Sequence, residues 1–79
     1  MVSFEELRAL RGIRSRLEFA DGLTLVVEIL DVHDDLVRDH VAYRVLEILG
    51  LGRAERPRLE TGAYYTTDVE EIATAHAAS

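Results

Sequence analysis

His33, Asp34, Asp35, Asp39 and His40 fall in one short window and are the side chains best suited to hold a divalent cation. Imidazole nitrogen and carboxylate oxygen both donate well to such ions. Ligands on one loop, with no pattern such as H-E-x-x-H, are weak evidence for a metal site. Here all five sit on one charged stretch, which reads instead as a solvated loop. No metal or other cofactor is expected. Tyr64 and Tyr65 offer a second kind of chemistry, a ring on which a base could stack. Neighbouring strand residues face opposite ways, so one ring packs inward and the other stays at the surface. Arginines form two groups that could meet phosphates: Arg8, Arg11, Arg14 and Arg16, then Arg53, Arg56 and Arg58. The net charge of −6 opposes that use, because phosphate binding and counterion release need a positive field. No nucleophile stands beside a base, and no G-x-S-x-G or phosphate-cradling glycine loop occurs. Catalysis is therefore not expected.

The elements that must position these groups are short. Seventy-nine residues make one domain at most. A chain of this size buries only about 60% of its unfolded surface. It has no cysteine, so neither disulfides nor thiolate metal sites can help. Hydrophobic residues nonetheless make up 48% of the chain, more than so small an interior uses, and this points to self-association. No apolar run approaches the ~20 residues of a membrane helix, and no targeting pattern precedes the first element, so a cytoplasmic setting is expected. All nine basic residues are arginines, the bias a GC-rich bacterial or phage gene would give.

Residues 3–11 read as a helix. Ser3 and Glu6 have capping-box spacing, Val2 and Leu7 hold the staple positions, and Phe4, Leu7 and Leu10 share a face. Gly12 suits the left-handed position that ends it. Ile13, Ser15, Leu17 and Phe19 then alternate with Arg14, Arg16 and Glu18, the period of a half-buried strand. Beyond Ala20-Asp21-Gly22 the apolar row resumes on odd positions at Leu23, Leu25, Val27 and Ile29. A two-residue turn would put the two rows on opposite faces. A three-residue loop with Gly22 left-handed pairs odd with odd, setting Phe19 against Leu23, Leu17 against Leu25 and Arg14 against Glu28. Val26, Leu30 and Val32 are then expected to face outward, under the helix or in a subunit contact. Val41, Tyr43, Val45 and Leu49 alternate as a strand, although Val37, Val41, Val45 and Ile48 also have helical spacing. The strand is preferred, because a helix would set Arg44 in its apolar stripe. Residues 50–62 form a long connection. A strand from Ala63 to Thr67, a tight turn over Asp68 to Glu71, and a last short strand or helix from Ile72 complete the chain.

The predicted fold is mainly β: a small, strongly bent antiparallel barrel of about five strands over 13–77, preceded by the helix. In its order the chain resembles the SH3-like and Sm-like small barrels. The residues that carry this are Gly12-Ile13, Leu17-Glu18-Phe19, Asp21-Gly22, Ile29 to Val32, and Tyr65 through Ile72. Leu17-Glu18, Asp21-Gly22, the Tyr43-x-Val45-x-Glu47 strand and a closing Ile also resemble the Rof family of acidic, Sm-like inhibitors of the transcription terminator Rho. Val27 stands where Sm strands carry a glycine. The loop after Asp31 has no Asn and no Arg-Gly pair lies near Tyr64, so the RNA contacts of the Sm pattern are not implied here.

The expected function is a non-catalytic barrel acting by protein–protein contact, meeting its partner through Val26, Leu30, Val32 and an edge strand, and assembling with itself. Two alternatives stay open. One is a nucleic-acid binder using Arg14, Arg16 and one of Tyr64 and Tyr65. The other is an acidic regulator that sets Asp31, Asp34, Asp35 and Asp39 into a basic groove of another protein.

Overall fold

Ser3 starts the first element in the way its spacing requires. Its Oγ accepts the Glu6 N–H at 3.1 Å, and Glu6 Oε1 accepts the Ser3 N–H at 3.4 Å. Helix α1 runs Phe4–Ala9, shorter than expected, and buries Leu7 fully. Too short to hold itself, it is fixed by this cap and by packing. Gly12 follows at φ +78°, and its N–H donates to Ile29 O at 2.7 Å. The structure is a computed structural model and describes residues 2–34, 37–52 and 59–78. Asp35, the second arginine group and the middle of the 50–62 connection lie outside those residues.

Five strands follow: β1 Arg14–Phe19, β2 Leu23–His33, β3 His40–Leu51, β4 Tyr64–Asp68 and β5 Ile72–Ala77. They form one antiparallel sheet in the order β4-β3-β2-β1-β5. The hairpin register is the one the odd-numbered row demands. Leu17 faces Leu25, Arg14 faces Glu28, and Gly22 at φ +96° donates its N–H to Phe19 O at 3.0 Å. Ser15 lies in the buried row and satisfies its hydroxyl by donating to Ile13 O at 2.8 Å. Ile13 itself does not join that row. It precedes the strand, bonded back to Leu10 O, and is 43% exposed.

Three irregularities bend the β2–β3 ladder. Leu49 and Leu46 are each an extra residue on β3, and Leu30 is an extra residue on β2. Every bulge turns the following side chains to the other face and adds twist. This overturns two expectations drawn from unbroken alternation. Leu49 is exposed, and Ile48 packs on the core in its place. Val32, past the Leu30 bulge, pairs with Val41 and packs on the core instead of facing outward.

The edge strands β4 and β5 are consecutive in the chain, joined by the 3-10 turn Val69–Glu71. In a flat sheet they would stand about 19 Å apart, four spacings of about 4.8 Å. A 3-10 turn advances only about 2 Å per residue, so the sheet must curl. Val69 N–H donates to Asp39 O at 2.9 Å, and Ala20 N–H to Glu71 O at 3.0 Å, which pins the turn to both halves. Among the described residues no pairing joins β4 to β5. The mainly β, five-stranded antiparallel architecture expected is present, and among the described residues the sheet is curled but not closed.

The core lies inside the curl. Leu17, Leu25, Ile29, Val41, Val45 and Ile72 are fully buried there, beneath Leu7 of α1. Tyr43 lies between Phe19 and Tyr65, with ring centroids 6.4 and 6.3 Å away. Its hydroxyl is 2.8 Å from Thr67 Oγ1. Burial pushes the Tyr43 phenol above its usual range, and the Thr67 hydrogen bond opposes this in part.

Candidate functional site

The outer face of the sheet gathers several of the sequence candidates. The strand registers set Arg14, Glu28, Arg44 and Tyr64 in one row across four strands. The next row holds His76, Arg16, Val26 and Glu47. Arg14 does not pair with Glu28, as its register position suggests. Its Nη2 reaches across β2 to Glu47 Oε2 at 3.8 Å, on the face that carries Val26. Arg16 Nε lies 3.6 Å from Glu18 Oε1. These long side chains cover Val26, which faces outward yet is only 5% exposed and stands apart from the core cluster. Val26 is therefore not an open contact. Tyr64 is exposed at the end of its row, while Tyr65 packs inward and accepts the Glu60 N–H at 2.9 Å. Both rings thus divide between the faces as strand geometry requires.

The acidic window divides as well. β2 and β3 bring His33 opposite His40, but each turns to a different carboxylate. His33 Nε2 lies 3.7 Å from Asp31 Oδ2, and His40 Nδ1 lies 3.5 Å from Asp68 Oδ1. Arg38 Nη1 donates to Asp68 Oδ2 at 2.7 Å and holds that carboxyl below its usual range. Asp31 also accepts the Val32 N–H at 2.9 Å and has Arg11 Nε 3.9 Å away. No group of three His, Cys, Asp or Glu residues able to hold a metal occurs among the described residues. Asp31, Asp34 and Val32 instead line a cleft of about 260 Å³ with Phe4, Arg8 and Arg11. Leu30 stands beside it, exposed at its bulge, with its carbonyl accepting Arg11 Nε at 3.2 Å. A cleft of about 320 Å³ lies between Val2, Phe4, Val37, Arg38, Asp39, Val69 and Glu70.

The feature that residue types did not announce is backbone. Ala78 N–H donates to Arg14 O at 2.8 Å, and the ladder continues through Arg16–His76 and Glu18–Thr74. Antiparallel pairs alternate between bonded and non-bonded. Thr74 and His76 therefore spend their N–H and C=O groups on β1, and Ala75 and Ala77 turn theirs to the open edge, while Ala73 is the extra residue where the β1–β5 ladder shifts. On β4, Val45 N–H donates to Ala63 O at 2.9 Å. The same count bonds Tyr65 and Thr67 to β3 and leaves Tyr64 and Thr66 facing out. Alternating alanines in the last strand were the available signal, but only the sheet order shows that this strand is an edge. Exposed Leu49 and Leu51 add apolar surface where β3 runs on past β4.

No helix among the described residues is long and apolar enough to cross a membrane. Compared with known proteins, the chain matches no family model, no curated protein and no solved structure.

Proposed function

We propose that this chain is a non-catalytic interaction module, a curled β-barrel-like domain that acts by protein–protein contact and assembles with copies of itself. The observation that carries the reading is the sheet's two open edges, each with a row of outward N–H and C=O groups. Such edges are templates for strand addition. The acid and imidazole groups support the same reading from the other side. Asp31 and Asp68 are engaged with Arg11, Arg38, His33 and His40, so they serve the loop's shape. Light scattering over a concentration series tests the reading. A mass that rises with concentration is expected, and a strict monomer throughout would overturn it.

One observation favours a second reading. Arg14, Arg44 and exposed Tyr64 share a row, the combination that tracks a single strand of nucleic acid. Glu28 in the middle of the row and Glu47 beside it weaken the field, and protein contact is preferred. A nucleic-acid binder loses affinity steeply as salt rises. Binding of a labelled oligonucleotide that falls with salt and is abolished by Arg44→Glu would establish this alternative over the first.

A further inference from the structure

We infer that β4 is the self-association edge, and that two copies join there antiparallel about a twofold axis through Thr66. This rests on the reading that the chain assembles with itself, and it specifies the edge and the register.

The two edges differ in what a second strand would meet. Natural sheets guard their edges with bulges, charge or proline. β5 carries a bulge, with Ala73 the extra residue where its ladder with β1 shifts. β4 pairs with β3 through five successive residues without a shift, from Tyr64 opposite Arg44 to Asp68 opposite His40. Its Tyr-Tyr-Thr-Thr run is aromatic and β-branched, the composition strands favour, whereas β5 has alanine at every second position. Tyr64 and Thr66 are both exposed.

Register follows from the outward groups. Val45 bonds Ala63 O at one end of β4, and Val69 bonds Asp39 O just past the other. The alternate residues Tyr64, Thr66 and Asp68 therefore turn their N–H and C=O groups to the open edge. An axis through Thr66 pairs Thr66 with its copy and Tyr64 with Asp68 of the other chain, which uses all three. An axis through Tyr65 would set Asp68 against Gly62, whose N–H is already given to Val45 O at 2.7 Å. An axis through Thr67 would set Tyr64 against Glu70, which is in the 3-10 turn.

Charge fits the same register. A net charge of −6 opposes contact between copies except where opposite charges meet. Asp68, bonded by Arg38, is the only charged residue of β4. In the centred register the outer-face row Glu28, Arg44 and Tyr64 of one copy runs on into Asp68 and His40 of the other. Arg44 has no ion-pair partner among the described residues. It faces the second copy's Asp68 with one strand between, the span that Arg14 already makes across β2 to Glu47. The twofold makes this match twice, and the isologous contact closes as a dimer.

The chain's lack of cysteine makes the test direct. Thr66→Cys places one thiol on the axis, facing its copy in a bonded pair about 5.5 Å apart at Cα, within the range a disulfide spans. Tyr64→Cys places its two thiols roughly 14 Å apart, an offset of four residues at about 3.4 Å each. On oxidation with oxidised glutathione, Thr66→Cys is expected to form linked dimer readily. Tyr64→Cys, and His76→Cys on β5, are expected to link only as fast as random collision allows. Thr66→Pro is expected to give a monomer with unchanged far-UV circular dichroism, because the N–H it removes bonds nothing within the chain. Ala75→Pro, which removes an outward N–H from β5, is expected to dimerise like wild type. Linkage at position 66 no faster than at 64 or 76, in a wild-type protein that light scattering shows to be a dimer, would overturn the β4 pairing and leave self-association standing. A wild-type monomer at every concentration would overturn both.

Discussion

Gly52→Ala should cost far more stability than Gly12→Ala, although the two glycines share a backbone conformation. Their φ angles are +75° and +78°. Forcing alanine into that region costs about 1–2 kcal/mol at either site. The surroundings differ. A Cβ on Gly12 meets nothing within 4 Å, whereas one on Gly52 would lie 2.7 Å from Leu23 N and 3.1 Å from Asp21 Oδ1. Those two atoms belong to a 3.0 Å hydrogen bond that shapes the β1–β2 turn, and Leu23 is in the core. Both obstacles resist movement. Overpacking costs about 1–3 kcal/mol, and weakening that hydrogen bond about 0.5–1.5 kcal/mol. The total for Gly52→Ala is roughly 2.5–6.5 kcal/mol. A domain of this length has roughly 4–12 kcal/mol to lose. Urea denaturation of wild type and both variants gives the comparison, read as midpoint shifts at constant m. Equal losses at the two sites would refute the close approach of the β3 end to the β1–β2 turn.

Alkali should destabilise the fold through Tyr43. Its folded phenol resists ionisation, so the unfolded state releases the proton first and stability falls as pH rises above about 10. Tyr43→Phe should flatten that part of a stability–pH curve measured by denaturation, and an unchanged slope would count against the buried hydroxyl. Acid acts through Asp68, whose folded carboxyl lies below its unfolded value because Arg38 bonds it. That contribution is fully present above about pH 4 and is lost as pH falls through the lower folded value. Asp68→Asn should remove it, seen as a shallower acid limb. Leu17→Ala, which empties a fully buried position opposite Leu25, should cost about 2–5 kcal/mol by the same denaturation assay, while Ile13→Ala should cost far less.

The contrast between Leu17 and Ile13 marks where the sequence was legible. From Ser15 to Ile29 one parity carried the buried row through the turn, because Gly22 left a single loop geometry that kept both rows on one face. Strand β3 was readable because only a strand kept Arg44 out of the core. Its later half was not. The bulges at Leu30, Leu46 and Leu49 fall on leucines, residues that carry no local signal of irregular backbone, and each reverses the parity beyond it. Ile48 for Leu49 and an inward Val32 follow from that alone. Val26 hid for another reason: its face was readable, but the arginine and glutamate stems that cover it come from β1 and β3. The open edges were illegible in principle, since an edge is a property of sheet order and its unpaired groups belong to the backbone.

Amide hydrogen exchange, followed residue by residue at low and high protein concentration, reads those backbone groups themselves. Ala75 and Ala77 on β5 and Tyr64 and Thr66 on β4 are predicted to exchange freely when dilute, and those of at least one edge to become protected as concentration rises, with Thr74 and His76 protected throughout. Exchange at both edges that is insensitive to concentration, in protein that nonetheless associates, would contradict association through the open edges.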